Sequence, residues 1–126
     1  MNFKKTKYNS KKVTIDGIAF QSTKEGHRYS ELKLLERAGE IKDLKMQVPF
    51  ELVPALCEPN TIGKRGEIKK GKTIENSVVY NADFVYFDNR KQQMIVEDSK
   101  GCRTKDYIIK RKLMKQLYSQ FEFIES

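Results

Sequence analysis

Cysteine, histidine and long apolar runs are scarce in this chain, and each scarcity closes off a class of protein. Cys57 and Cys102 lie in different segments, without Cys-x-x-Cys spacing and without a histidine nearby. That pattern argues against a zinc site and against a disulfide framework, and leaves two free structural thiols. No apolar run approaches the roughly 20 residues of a membrane span, and the lysine-rich first dozen residues are not followed by the apolar stretch of a signal peptide. A soluble, cytoplasmic protein without membrane contact is the expectation. Nothing in the pattern offers a dedicated base-reading element such as a zinc finger or a helix-turn-helix. Acidic residues are also outnumbered: 25 Lys and Arg stand against 17 Asp and Glu, for a net charge of +8. A surplus of that sign favours nucleic acid or an anionic surface. At 126 residues the chain has room for one core, so one domain is expected over 13–126, after a basic arm over 1–12 that holds five lysines.

Val13–Phe20 alternates around Asp16-Gly17, a turn signal, and predicts a small hairpin. Ser22-Thr-Lys-Glu25 has the form of a capping box and opens a helix whose apolar positions are Tyr29, Leu32, Leu35 and Ala38, with Gly39 as its stop. A strand follows over Glu40–Val53, interrupted by Pro49 and stopped by Pro54. Residues 55–77 hold three glycines, Pro59 and five basic residues and read as a long basic loop or a loose hairpin tip. Val78–Asp88 and Gln93–Ser99 read as strands, Thr104 caps a helix through Tyr107, Ile108, Leu113, Met114, Leu117 and Tyr118, and Phe121–Glu125 makes a last strand. The predicted fold class is therefore α/β (α+β): a mixed four-stranded sheet in the order αβββαβ with helices on its faces.

The chemistry is concentrated in the hairpin formed by Tyr80-Asn-Ala-Asp-Phe-Val-Tyr86 and Ile95-Val-Glu-Asp-Ser-Lys-Gly101. Side chains alternate along a strand, so Asp98 and Lys100 share one face while Glu97 and Ser99 point to the other. If the loop is Asn89–Gln92, Asp88 pairs with Gln93 and Asp83 falls opposite Asp98, at roughly 5 Å between Cβ atoms. A two-residue loop leaves the two aspartates diagonal neighbours on the same face. Like charges opposed on an apolar hairpin need neutralising. A divalent cation such as Mg2+ or Mn2+ would do so, since such ions take one or two carboxylates plus water and phosphate oxygens. The ion would polarise a phosphoryl oxygen and acidify a water, with the Lys100 ammonium orienting that water.

An Asp followed across a hairpin by Asp-x-Lys resembles the PD-(D/E)XK nuclease superfamily, with Ala82 in place of the proline that gives the motif its first letter. The tripeptide alone is common in lysine-rich chains; the flanking elements are what give it weight. Asp16-Gly-Ile-Ala-Phe-Gln-Ser22, Glu25-Gly-His-Arg-Tyr29, Ala38-Gly-Glu-Ile41, Gln47-Val-Pro-Phe50 and the two hairpin strands, in that order, look like a family of small, mostly phage-encoded endonucleases and Holliday-junction-resolvase-like proteins. The resemblance runs from Val13 to Glu125. It implies a restriction-endonuclease-like core and a metal-dependent DNA endonuclease acting on branched recombination or replication intermediates, in the host cytoplasm if phage-encoded. Asp83 and Asp98 would be metal ligands, Lys100 would activate the water and Glu25 would be a further acidic residue of the site. A resolvase makes two symmetric cuts, which would call for a homodimer.

Glu25 has two competing roles, ligand and helix cap, for one carboxylate; the cap as a whole is worth on the order of 1 kcal/mol. Glu97 should face away from Asp83, as a partner for a basic residue on the opposite helix. His27, roughly 200° around the helix from Glu25, reads as a surface residue. Gln47 could reach the site from the neighbouring strand or be an ordinary strand glutamine. The last helix carries Lys105, Lys110, Arg111, Lys112 and Lys115 against Asp106, with Arg103 before it, and is the candidate phosphate-binding element. Lys64, Arg65, Lys69, Lys70 and Lys72 could extend the contact along a duplex or junction. A catalytically silent nucleic-acid-binding module is the alternative of a different class, and an RNA-directed nuclease is a third.

Overall fold

The computed structural model describes residues 12–99 and 104–126. The arm through residue 11, together with Lys100 and Arg103, lies outside the described residues. In chain order the elements are β1 (Val13–Ile15), β2 (Ile18–Phe20), α1 (Thr23–Arg37), β3 (Ile41–Val53), β4 (Leu56–Cys57), β5 (Thr61–Ile62), β6 (Ile68–Lys69), β7 (Thr73–Glu75), β8 (Val78–Asp88), β9 (Gln93–Asp98), α2 (Lys105–Leu117) and β10 (Glu122–Glu125). The result is a mixed α+β architecture in which α1, β3, β8, β9, α2 and β10 follow the expected order. Two compact units divide the chain: one takes in the described residues of Met1–Val48, Ala82–Arg103 and Gln120–Ser126, the other Pro49–Asn81 and Thr104–Ser119.

In the first unit β1 and β2 pair antiparallel across Asp16 and Gly17, which both adopt positive φ (52° and 77°), as a two-residue hairpin turn requires. Ser22 caps α1: its hydroxyl accepts from the Glu25 amide at 3.1 Å. A Cβ on Gly26 would come within 2.6 Å of Val13 Cγ2, so the bare glycine lets the helix lie close against β1. The buried side of α1 is Glu25, Gly26, Tyr29 and Leu32. Leu35 and Ala38, expected on that side, are exposed. Lys33 and Glu36 hold the half-buried positions instead, paired at 3.0 Å, and Glu36 also accepts from the Leu44 amide.

The four-stranded sheet has the order β10-β9-β8-β3, with β8 and β9 antiparallel and β10 parallel to β9. A parallel neighbour cannot be reached by a tight turn, and the excursion between β9 and β10 includes α2. Pro49 does not interrupt β3, which is continuous over its 13 residues. The strand lies at the sheet edge, where a missing amide donor is tolerated. Phe20, Tyr29, Leu32, Ile41, Phe84, Tyr86 and Ile95 form one apolar core, joined at its margin by Val13, Leu44, Met46 and Ile124.

In the second unit Thr104 caps α2 by accepting from the Tyr107 amide at 3.1 Å. Tyr107 and Met114, two turns apart, are the buried positions of that helix. Ile108 and Leu117, read as part of its apolar stripe, are exposed. The Phe50 and Tyr118 rings meet edge to face at 5.0 Å, and the Tyr118 hydroxyl donates to the Glu51 carbonyl at 2.8 Å. Of the two readings of residues 55–77, the hairpin tip holds and the long loop does not: β4 pairs with β7, and β5 with β6, as successive antiparallel ladders of one ribbon. Strands of two or three residues are too short to show a period. Among the described residues no helix is long and apolar enough to cross a membrane.

Candidate functional site: the acidic hairpin

The β8–β9 connection is the four-residue loop Asn89–Gln92. Asp88 Oδ1 accepts from the Arg90 and Lys91 amides at 2.9 and 3.1 Å, and Gln92 takes φ of 52°. Such side-chain-to-backbone bonds are what make Asp a turn former. The register runs from Asp88 opposite Gln93 to Phe84 opposite Glu97; continued by one residue beyond that last pair, it brings Asp83 level with Asp98. Glu97 and Asp98 are 0% exposed and Asp83 is 7% exposed. Three acids, two consecutive on β9 and one on β8, thus occupy buried positions at the end of the hairpin, where burial of an ion is costly unless hydrogen bonds or opposite charge offset it.

Two different solutions serve the two sides of β9. Glu97 meets a cation: its carboxylate accepts from Arg28 Nε and Nη2, the latter at 2.9 Å, and from the Tyr86 hydroxyl at 2.7 Å. The expected basic partner on the opposite helix is therefore Arg28 of α1. This bond to Glu97 raises the Arg28 pKa above the ordinary arginine value. Burial, followed by the bond to Glu97, raises that of the Tyr86 phenol. Asp83 is held instead by neutral donors. Its Oδ2 accepts from the Ser99 amide at 3.0 Å and the Ser99 hydroxyl at 3.1 Å, and its Oδ1 accepts from Gln47 Nε2 at 3.3 Å. Ser99 was expected to point away from Asp83, but β9 ends at Asp98 and strict alternation ends with it.

Gln47 ties the acids together. Its Nε2 donates to Glu25 Oε1 at 3.0 Å as well as to Asp83, so the first helix, an edge strand and the hairpin converge on one amide. Glu25 is buried, its amide capped by Ser22 and its carboxylate on the Gln47 side. The Gln47 backbone is left-handed, with φ of 52° inside a strand. A non-glycine residue pays on the order of 1–3 kcal/mol for such a conformation, and this is the geometry by which a bulge re-aims a side chain. The sequence leaves Gln47 open between a site residue and an ordinary strand glutamine, because a positive φ at a non-glycine residue has no sequence signal. His27 is exposed and lines a surface cleft with Lys24, Arg28, Glu31 and Ser126.

Among the described residues, no three His, Cys, Asp or Glu side chains are grouped closely enough to hold a metal ion. What is assembled is the opposed pair Asp83 and Asp98, with Glu25 linked to Asp83 through Gln47. That donor set still fits a hard cation of the Mg2+ type, which needs only one or two carboxylates and completes its shell with water and phosphate oxygens. Lys105, Lys112 and Lys115 of α2 are exposed and Lys110 and Arg111 half-buried, within the second unit. Residues 5–124 match the family DUF1064, described as a protein of unknown function. The chain belongs to DUF1064. The matched span takes in Glu25, Gln47, Asp83 and Asp98, so the whole cluster lies in the DUF1064 region. No curated protein and no solved structure matches this DUF1064 chain.

Proposed function

We propose that this DUF1064 protein is a metal-dependent DNA endonuclease with a restriction-endonuclease-like core of the PD-(D/E)XK type. Its substrates would be branched, Holliday-junction-like intermediates. The observation that carries this reading is the hairpin register, which pairs Phe84 with Glu97 and, continued by one residue, would bring Asp83 level with Asp98, with Glu25 gathered beside Asp83 by Gln47. Asp83 and Asp98 are the residues to hold Mg2+ or Mn2+, with Glu25 at the margin of the site. Such an ion would supply charge for the phosphoryl oxygens and a water acidic enough to attack phosphorus. Gln47 and Ser99 orient the Asp83 carboxylate, Arg28 fixes Glu97 beside Asp98, and Lys100 is the expected water-orienting residue. The basic residues of α2 supply phosphate contacts of the sequence-independent kind.

The test is to incubate the full chain with a labelled four-way junction, a linear duplex and a single strand, in Mg2+, Mn2+ or EDTA, beside Asp98→Asn and Lys100→Ala. Cleavage should require the divalent ion, favour the junction and disappear in both variants while circular dichroism stays native. An Asp98→Asn protein that cuts as well as the wild type would overturn the proposal. Binding without cleavage in any ion would leave the silent nucleic-acid-binding module as the function.

A further inference from the structure

The β4–β7 ribbon is built unlike the rest of the molecule. Ile62 and Ile68 are directly opposed in its outer ladder, hence on one face, and are 80% and 76% exposed. Leu56 and Ile74 are exposed as well. The tip is a tight turn in which the Gly66 amide donates to the Gly63 carbonyl at 3.0 Å and the Gly63 amide to the Glu67 carbonyl at 2.8 Å. Gly66 takes the left-handed position, with φ of 79°. That is a three-residue hairpin loop with its glycine at the bulge, and it puts Lys64 and Arg65 at the outermost corner. Between residues 60 and 72 there are five basic residues and one acid. The acid, Glu67, is folded back, with its carboxylate accepting from the Arg65 amide at 3.0 Å. Among the described residues none of Lys64, Arg65, Lys69, Lys70 and Lys72 has a carboxylate partner.

Two isoleucines side by side on one exposed face give an apolar contact surface ringed by cations, and a tip this basic would repel a second copy of itself. Two-stranded ribbons fit a groove of duplex nucleic acid. Proteins that open base steps do so with apolar side chains flanked by phosphate-binding cations. We infer that the ribbon over 56–75 is a nucleic-acid-binding arm: Lys64, Arg65 and Lys69 grip phosphates, and Ile62 with Ile68 wedges against bases exposed where stacking is interrupted, as at a branch point. The inference concerns binding and does not require cleavage, although a wedge at a branch would give the proposed nuclease its structural selectivity.

The experiment measures fluorescence anisotropy of the full chain on a four-way junction and on a linear duplex, in EDTA, across a salt series. Lys64→Ala with Arg65→Ala and Lys69→Ala should flatten the salt dependence on both DNAs, by about 0.9 in log–log slope for every phosphate no longer gripped. Ile62→Ser with Ile68→Ser should weaken junction binding about tenfold or more, leave duplex binding within twofold, and abolish the fluorescence rise of a 2-aminopurine placed at the branch. Wild-type affinity and slope in both variants would overturn the arm, as would absence of binding by the wild type. A wild-type dimer that the isoleucine variant converts to monomer, with DNA binding per protomer unchanged, would assign the face to self-association. Because no divalent ion is present, loss of binding in the variants upholds the arm even if the wild type never cuts, and a protein that cuts but binds equally well without the arm residues overturns the arm alone.

Discussion

Two hairpins of this chain invert the ordinary distribution of side chains in opposite senses. The β8–β9 hairpin buries Asp83, Glu97 and Asp98 among Phe84, Val85, Val96 and Ile95. The β5–β6 ladder leaves Ile62 and Ile68 exposed among lysines. Buried acids lose hydration and demand donors; exposed isoleucines forgo the roughly 1.5–3 kcal/mol that burying such a side chain returns. In the first inversion Glu97 and Asp83 are compensated within the fold, Glu97 by Arg28 and Tyr86 and Asp83 by Ser99 and Gln47. The second is uncompensated among the described residues, and that difference separates a pre-organised internal site from a surface awaiting its partner.

The sharpest way to break the first hairpin is to remove its cation. Arg28→Ala would leave Glu97 wholly buried without its counter-charge and should cost about 3–5 kcal/mol in urea unfolding, whereas Arg28→Met combined with Glu97→Gln should recover much of that loss. An equal loss in the double variant would show that the helix packing, and not the charge, was the determinant. Next in size is the backbone of Gln47. Gln47→Ala and Gln47→Gly both delete the bridging amide, but only glycine relaxes φ of 52°. The glycine variant should therefore be more stable than the alanine variant by about 1 kcal/mol, and both should cleave poorly. In the second hairpin, Ile62→Ser with Ile68→Ser should change stability by no more than about 0.5 kcal/mol, because nothing is uncovered that was covered. A large loss of stability there would end the contrast between the two hairpins.

The smallest effect is a pH dependence on α1, where the half-buried Lys33–Glu36 pair serves as the reference for both hairpins. The bond from Lys33 holds the Glu36 carboxyl below its usual range, aided by the Leu44 amide. A folded-state value below the unfolded one means that the contribution is complete above the usual carboxylate range and is lost as pH falls through the lowered folded value. Glu36→Gln should thus lower the urea midpoint slightly near neutrality, leave it unchanged at acid pH where Glu36 is already protonated, and so flatten the fall between the two.

Much of the fold was legible because its signals are local. Ser22 and Thr104 act as caps, Asp16-Gly17 turns a hairpin, and Asp88 to Gln93 close the four-residue loop that sets the register of Asp83 and Asp98. Alternation also predicted that Glu97 would leave its neighbour and find a cation on the helix. What escaped depends on distant packing or on conformations that have no compositional mark. Leu35, Ile108 and Leu117 fit an apolar period yet are exposed, since period alone does not say how wide the covered stripe is. Pro49 sits inside a continuous strand because that strand is an edge. Ser99 turns to Asp83 only because β9 has stopped, and Gln47 enters the site through a left-handed residue that no strand pattern announces.

The Arg28 clamp has one more consequence, which concerns alignment. Glu97 and Asp98 are adjacent, both acidic and both fully buried, so a slip of β9 by one residue in either direction would still put an acid in the place of one of them. Strand pairing tolerates such errors when the alternatives look alike. The forked guanidinium and the Tyr86 hydroxyl accept the longer carboxylate at a fixed reach, and the shorter one would fall a methylene short. Arg28 thereby acts as a ratchet pawl for β9, deciding which of two neighbouring acids faces Asp83.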